Sequence, residues 1–354
     1  MEAENRVKIA IIGTGLIGPR HALSVQSCPD AVLLCIVDPR PEAQFVADEF
    51  NVPLFHSILR MLQGQCIPDA AIVCTPNSTH VALGAELLNN GIAALVEKPV
   101  SVDVASGREL IDIARRVGKP LVIGHHRRFN PYVSAAKAAL AAHSIGQPIA
   151  VSGLWVLKKS TSYFEPPTDW RAKSGSGGPI LINLIHEIDI LHFLLGPIVR
   201  VHAEKTLSRR GHDVEEGVAM LFRFASGVVG TFILSDNIPS AHNFESGTGE
   251  NPMIPKSGKD FYRIFGTEGT LSVGDMKLTR YGEGVEMKWE NALQVEEVAV
   301  AGEIPFDEQV KNFVDVVRGR EEPRCSGEDG LKAMIICDAV MRAMESGSPV
   351  DIDV

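Results

Sequence analysis

Short apolar runs alternate with stretches of helical spacing along the first 125 residues. Val7 to Ile12, Val32 to Val37, Ala70 to Cys74, Ala93 to Glu97 and Leu121 to Gly124 are rich in β-branched residues and predict strands. Between them, Thr79 to Asn90 and Asp103 to Val117 carry amphipathic spacing and end at Gly91 and Gly118, residues suited to the left-handed position after a helix. Strands that alternate with helices read as βαβ units. The right-handed crossover rule arranges such units as an open, doubly wound parallel sheet.

Beyond Asn130-Pro131 the pattern changes. One alanine-rich helix, Tyr132 to His143, leads into longer alternating strands: Ala150 to Lys158, Val218 to Phe224, Val228 to Ser235, Tyr262 to Phe265, Thr270 to Val273 and Val285 to Trp289. They predict a large, mostly antiparallel sheet, with a hairpin turn at Ala225-Ser226-Gly227. The segment Ser240 to Lys259, rich in Gly, Ser, Asn and Pro, reads as a mobile loop inserted in that sheet. Helices at Phe306 to Arg318 and Gly327 to Glu345 close the chain, and no internal repeat is present. A large apolar sheet face is rarely left bare, so self-association as a homodimer or homotetramer is expected.

Composition narrows the function classes. The chain has 354 residues, 45% hydrophobic and 22% charged, which fits two folded domains rather than a disordered chain. Acids outnumber bases 44 to 34, and with a net charge of −10 and no basic run, nucleic acid and anionic membrane are poor partners. The acidic start, Met1 to Arg6, is unlike a secretory signal, and no apolar run approaches the roughly 18 residues of a membrane span, so a cytoplasmic location is expected. Cysteines 28, 35, 66, 74, 325 and 337 show no metal-site spacing and read as reduced packing residues.

The first candidate chemistry follows the first strand. Gly13-Thr14-Gly15-Leu16-Ile17-Gly18 is a GxGxxG placed between strand and helix, and Asp38 lies 20 residues after Gly18 at the end of the second strand. The glycines permit a tight turn and close backbone approach, the helix amino end attracts pyrophosphate, and the carboxylate accepts a ribose hydroxyl hydrogen bond. This combination predicts a Rossmann dinucleotide site. Asp38 favours NAD over NADP, by a modest margin because Arg40 stands two residues on and is able to pair the extra phosphate.

Ligands of an open parallel sheet bind beyond the carboxyl ends of its strands. The polar residues there are Asp38, Thr75, Asn77, Thr79, His80, Glu97, Lys98, His125 and His126. Thr75, Asn77, His80, Glu97 and Lys98 are the candidate cofactor contacts, although Asn77 and Thr79 serve equally well as helix caps. Pro99 fixes the backbone after Lys98, at the edge where a nicotinamide would extend. There, desolvation and a cationic ring lower a lysine from its usual value of about 10.4. The plain alternative is an exposed strand-end lysine.

Pro179 to Leu195 forms a second focus. It follows Gly177-Gly178, stops at Gly196-Pro197 and is apolar nearly all round, which predicts a buried helix. At about 100° per residue, Asn183, His186 and Glu187 share one arc, with Asp189 just beyond and His192 opposite. Buried polar groups need partners, so this face implies an internal network or a ligand cavity. Neutral histidine suits a general base for a hydroxyl proton, and Asn183 is able to orient a substrate hydroxyl without adding charge. Tyr163, Trp170 and Arg171 are candidates for a stacking surface and polar clamp.

Taken in order, the GxGxxG, Thr75-Pro76-Asn77 with His80, Glu97-Lys98-Pro99, Arg127-Arg128-Phe129-Asn130-Pro131, Trp170-Arg171, Gly177-Gly178 before His186-Glu187-Ile188-Asp189, and Phe265-Gly266-Thr267-Glu268-Gly269 resemble the glucose-fructose oxidoreductase, inositol dehydrogenase and MocA family. The resemblance implies an α/β chain with a Rossmann domain over 1–125 and an α/β domain over 126–354, whose open sheet often forms the oligomer interface and which includes the helices of 306–345. It implies hydride exchange at a carbinol carbon of a sugar, cyclitol or similar polyol, with NAD or NADP as cofactor, and it often brings a cis bond before Pro99. Lys98 and His186 become the acid-base pair, Asn183 a positioning residue, and Arg128 joins the substrate contacts. Many members carry an aspartate four residues before the histidine, and that position here is Ile182. A regulator that binds NAD(P) without turnover and a nicotinamide-assisted glycosidase stay open as alternatives.

Overall fold

The computed structural model describes residues 6–64, 66–175 and 177–353. Along the chain run β1 (Val7–Ile12), α1 (Gly18–Ser27), β2 (Ala31–Val37), α2 (Ala43–Phe50), β3 (Leu54–Phe55), α3 (Ile58–Gln63), β4 (Ala70–Val73), α4 (His80–Asn89), β5 (Ala93–Val96), α5 (Val104–Val117) and β6 (Leu121–Ile123). There follow α6 (Pro131–Ala141), β7 (Pro148–Val156), α7 (Ile185–Leu195), β8 (Ile198–Lys205), β9 (Gly217–Phe224), β10 (Val229–Ser235) and α8 (Phe244–Thr248). The remainder comprises β11 (Tyr262–Gly266), β12 (Gly269–Val273), β13 (Lys277–Arg280), β14 (Gln294–Glu297), α9 (Pro305–Val317), α10 (Gly327–Ser346) and β15 (Val350–Asp351).

Two compact units result, Met1–Asn130 with Glu303–Met334, and Pro131–Gly302 with Ile335–Val354. The first holds a parallel sheet in the order β3-β2-β1-β4-β5-β6, the expected doubly wound arrangement, with the strand order reversing beside β1. Its strands are covered on both faces, so Ile9, Ile11, Ile36, Ile72 and Leu95 are all buried. Predicted strands and helices in this unit match to within a residue or two. Asp103 caps α5 by accepting from the Ser106 amide, and Gly118 closes it at φ 65°. The short β3 was not foreseen. Helix α9, expected with the second domain, belongs to the first unit: Val310, Phe313 and Val314 join its core, and Ser24 Oγ on α1 donates to Asp307 at 2.5 Å.

The second unit is built on nine strands in the order β14-β13-β12-β11-β7-β10-β9-β8-β15, antiparallel except where β7 meets β10. Alternation is strict through the middle: Val151, Trp155, Phe232, Leu234, Phe222 and Tyr262 are buried on the inner face. The Tyr262 hydroxyl donates to Glu187 on α7, which ties that helix to this face. The hairpin between β9 and β10 turns at Gly227, as expected. Two expectations fail. Val285 to Trp289 forms no strand; its side chains are exposed on both sides, and β13 and β14 pair around it instead. Ser240 to Lys259 is no open loop, because Phe244 is fully buried, Asn243 caps α8 through the Ser246 amide, and the Glu245 carboxylate accepts from the buried Trp155 indole at 2.8 Å. Among the described residues no helix is long and apolar enough to cross a membrane. All six cysteines are free thiols, four of them buried.

Replacing Tyr262 by Phe removes a donor from the buried Glu187 carboxylate. A loss of about 1 to 3 kcal/mol in urea unfolding is expected, with the far-ultraviolet circular dichroism unchanged.

Candidate active site

The loop after β1 is shaped by two glycines. Gly13 sits at φ 95°, where a side chain is strained, and a Cβ on Gly18 would lie 2.1 Å from the Gly13 carbonyl oxygen. Gly15 faces open space and Leu16 is exposed, so the amides of the loop and the start of α1 border room for a ligand. Asp38, at the end of β2, accepts from the Thr14 amide and hydroxyl, both at 2.8 Å. Arg40 grips the same carboxylate with two nitrogens at 2.9 and 2.7 Å. Burial alone would raise the Asp38 pKa. The bonds from Arg40 and Thr14 outweigh it and hold the carboxyl well below the usual range. A turn that no bulkier residue fits, an open side and a fixed carboxylate suit a dinucleotide: Gly13 to Gly18 would hold the pyrophosphate and Asp38 the ribose.

Further along the same sheet edge, the motifs lock to one another. His80 spans two carbonyl oxygens with its ring nitrogens, Pro99 at 2.7 Å and Thr75 at 2.9 Å, joining the loop after β4 to the loop after β5. Thr79 Oγ1 donates to the Pro76 carbonyl at 2.7 Å and lies 2.6 Å from Thr75 Oγ1, while Asn77 begins the short 3₁₀ turn before α4. Glu97 lies 2.7 Å from His21 Nε2 on α1 and accepts from the Lys98 amide at 3.2 Å. Burial pushes Glu97 up, but His21, followed by the charges of His126 and Lys98, keeps it ionised and low. Lys98 itself is half-buried, with its bond to Pro99 cis. Arg128, read as a substrate contact, is buried and donates to the Arg324 carbonyl at 2.6 Å and to Asp329 at 3.2 Å.

In the second unit, the segment predicted as one helix opens with a π turn over Ile180–Leu184 before α7 proper. His186, Glu187 and Asp189 are buried. His192 accepts the Ile198 amide at 3.3 Å. Asn183 lies in the π turn and meets a residue that the sequence did not single out. Lys159, three residues past β7, donates to Asn183 Oδ1 at 2.8 Å. Its ammonium lies 4.3 Å from the Tyr163 ring centre, and the Arg171 guanidinium lies 3.9 Å from the same ring. Trp170, 5.6 Å from Arg171, is exposed. Behind this group, Arg210 pairs with Asp236 and Glu216, and Glu215 accepts the Ile180 amide at 2.9 Å. Tyr163, Arg171 and Asn183 therefore gather around one lysine. The only sequence signal for Lys159 was a pair of lysines ending an alternating strand.

Glycine loop, fixed carboxylate and switch-point sheet define a dinucleotide-binding oxidoreductase scaffold. Residues 7–125 match the model for the oxidoreductase family with an NAD-binding Rossmann fold, and residues 137–352 match the C-terminal α/β domain of that family. The chain belongs to the Gfo/Idh/MocA family of NAD(P)-dependent oxidoreductases. It is 25% identical to scyllo-inositol 2-dehydrogenase (NAD(+)) of Bacillus subtilis, covering 99% of this chain and 98% of that one. Identity to 1,5-anhydro-D-fructose reductase of Ensifer adhaerens is 26% over 80% of each. The WlbA dehydrogenase of Bordetella pertussis, solved with NADH and UDP-GlcNAcA, superposes with a TM-score of 0.77 at 21% identity over 99% of both chains.

Asp38→Ala is expected to weaken NADH binding at least tenfold and, by freeing Arg40, to narrow the gap between NADH and NADPH. Fluorescence titration with both nucleotides measures each effect.

Proposed function

We propose that this enzyme moves a hydride between nicotinamide and a carbinol or carbonyl carbon of a sugar, cyclitol or similar polyol. The first unit serves the dinucleotide and the second the substrate. One observation carries the reading: a chain with a dinucleotide cradle and a lysine at the same sheet edge also sets a half-buried asparagine and a buried histidine one turn apart at the start of a largely apolar helix. The inositol and anhydrofructose activities named for its relatives support a polyol as substrate.

Bound NAD(P) supplies the hydride acceptor or donor. His186, as the neutral imidazole, takes the hydroxyl proton when the alcohol is oxidised. Lys98, at the edge of the parallel sheet, serves as the hydrogen-bond donor that stabilises charge developing on a substrate oxygen. Asn183 holds a neighbouring hydroxyl. No carboxylate stands at Ile182, so the proton passes to His186 without an aspartate partner at that position. Trp170, Tyr163 and Arg171 line the sugar side.

The outer face of the nine-stranded sheet presents Leu221 on β9, Val229 and Ile233 on the neighbouring β10, and Phe265 on β11 beyond β7, all exposed. Self-association through this face, as a dimer or tetramer, follows from its apolar character.

Lys98→Met and His186→Ala are each expected to lower kcat by 10²- to 10⁴-fold on whichever polyol reduces NAD, with NADH affinity within threefold of the parent. A parent that binds NADH yet reduces no NAD with any polyol assigns a sensor instead, and sugar hydrolysis without net reduction of NAD assigns a glycosidase. Ile233→Glu is expected to shift the mass by light scattering to that of one chain, about 38.3 kDa.

A further inference from the structure

Lys159 is an unusual residue for the inside of a protein. Its side chain keeps only 8% of its exposure, and a long ammonium-bearing chain is rarely buried without a task. The nearest carboxylate oxygen, on Asp236 after β10, is 3.7 Å away, and that carboxylate also pairs with Arg210. The direct hydrogen-bond partner of the ammonium is neutral: the amide oxygen of Asn183. An asparagine has one acceptor and two donors. With Oδ1 held by Lys159, the amide is fixed the other way round, and Nδ2 has no partner among the described residues.

We propose that Lys159 is a positioning residue for the reaction: by holding Asn183 Oδ1 it fixes the asparagine amide so that Nδ2 donates to a substrate oxygen beside the carbon that reacts at His186. The proposal rests on the dehydrogenase reading above. It assigns to the lysine and asparagine together the anchoring of substrate that a single side chain would not provide, since a lone amide is free to flip.

The device depends on pH. Groups facing Lys159 are Asn183 from the π turn, Tyr163 and Arg171 from the 3₁₀ turns after β7, Arg210 and Glu215 from the segment between β8 and β9, Asp236 from the end of β10, and Glu245 from α8. Burial draws the lysine down to about 7, opposed chiefly by Glu245. Below that value an ammonium makes a charge-assisted bond to Asn183; above it a neutral amine makes a weaker one. Substrate anchoring is therefore strongest on the acid side and fades as pH rises.

Steady-state kinetics of the full-length enzyme on one accepted polyol, with NAD saturating, test this from pH 6 to 9. Lys159→Met and Asn183→Ala are each expected to raise KM at least tenfold with kcat lowered less than threefold, and the double variant to be no worse than either one, because both remove the same anchor. The parent KM is expected to rise as pH passes 7, while Lys159→Arg, charged throughout, shows no such rise. Additive KM effects in the double variant, or the same alkaline rise in Lys159→Met as in the parent, overturn the proposal while leaving the dehydrogenase intact. A parent that turns over no polyol overturns the underlying reading, and the proposal with it. Lys159→Met leaves Asp236 paired with Arg210 and is expected to fold, with a Tm lower than the parent's by only a few degrees, which scanning calorimetry checks.

Discussion

A helix that is apolar on almost every side must be buried, and any polar group it carries inward has to be met there. That constraint organises the second unit. Glu187 is met by Tyr262 from β11, His192 by the amide of Ile198, and Asn183 by Lys159 beyond the end of β7. Each partner comes from a different element, so the sheet, its connecting turns and α7 cannot be assembled independently. The cost of leaving one of these groups unpaired, about 1 to 3 kcal/mol, is a sizeable part of a domain's net stability. The polar residues that suit chemistry are thus also those that specify how the helix lies on the sheet.

Much of the first unit was legible in the sequence because its signals are local. Strand, glycine turn, helix and carboxylate follow one another within 40 residues, and each step has a single physical reading. The same locality explains the glycines that end α5 and the aspartate that starts it. Lys159 was not legible: what makes it important is Asn183, 24 residues away, and only the topology of the sheet brings the two together. The segment 240–259 misled by composition, since small polar residues suit a tightly packed corner as well as an open loop. Val285 to Trp289 misled by alternation, which an exposed stretch of Glu, Met, Lys and Trp reproduces without a sheet to bury it. Helix α9 was read correctly as a helix, but its apolar stripe does not say which core receives it.

Asp38 and Arg40 show how a site can be set before its ligand arrives. The carboxylate already accepts from a backbone amide, a hydroxyl and a guanidinium, so its orientation is fixed by the protein. Such preorganisation lowers the ordering cost of binding. It also occupies the arginine, whose charge would otherwise be available to a 2′-phosphate. Selectivity between the two nicotinamide cofactors then reflects a contest between an internal ion pair and an external phosphate, with the exposed side of Arg40 open to both.

The π turn over Ile180–Leu184 has a consequence for length as well as for identity. Such a turn takes up one residue more than an α turn does. The spacing from the glycine pair to His186 is therefore held by residue count. Deleting any one residue there would restore ordinary winding and draw the wide turn in, shifting Asn183 against the histidine while the flanking turns keep their places. An insertion or deletion at this point would re-aim the pocket wall with no change in the chemical character of any side chain left in place, which makes chain length here a means of altering what the pocket accepts.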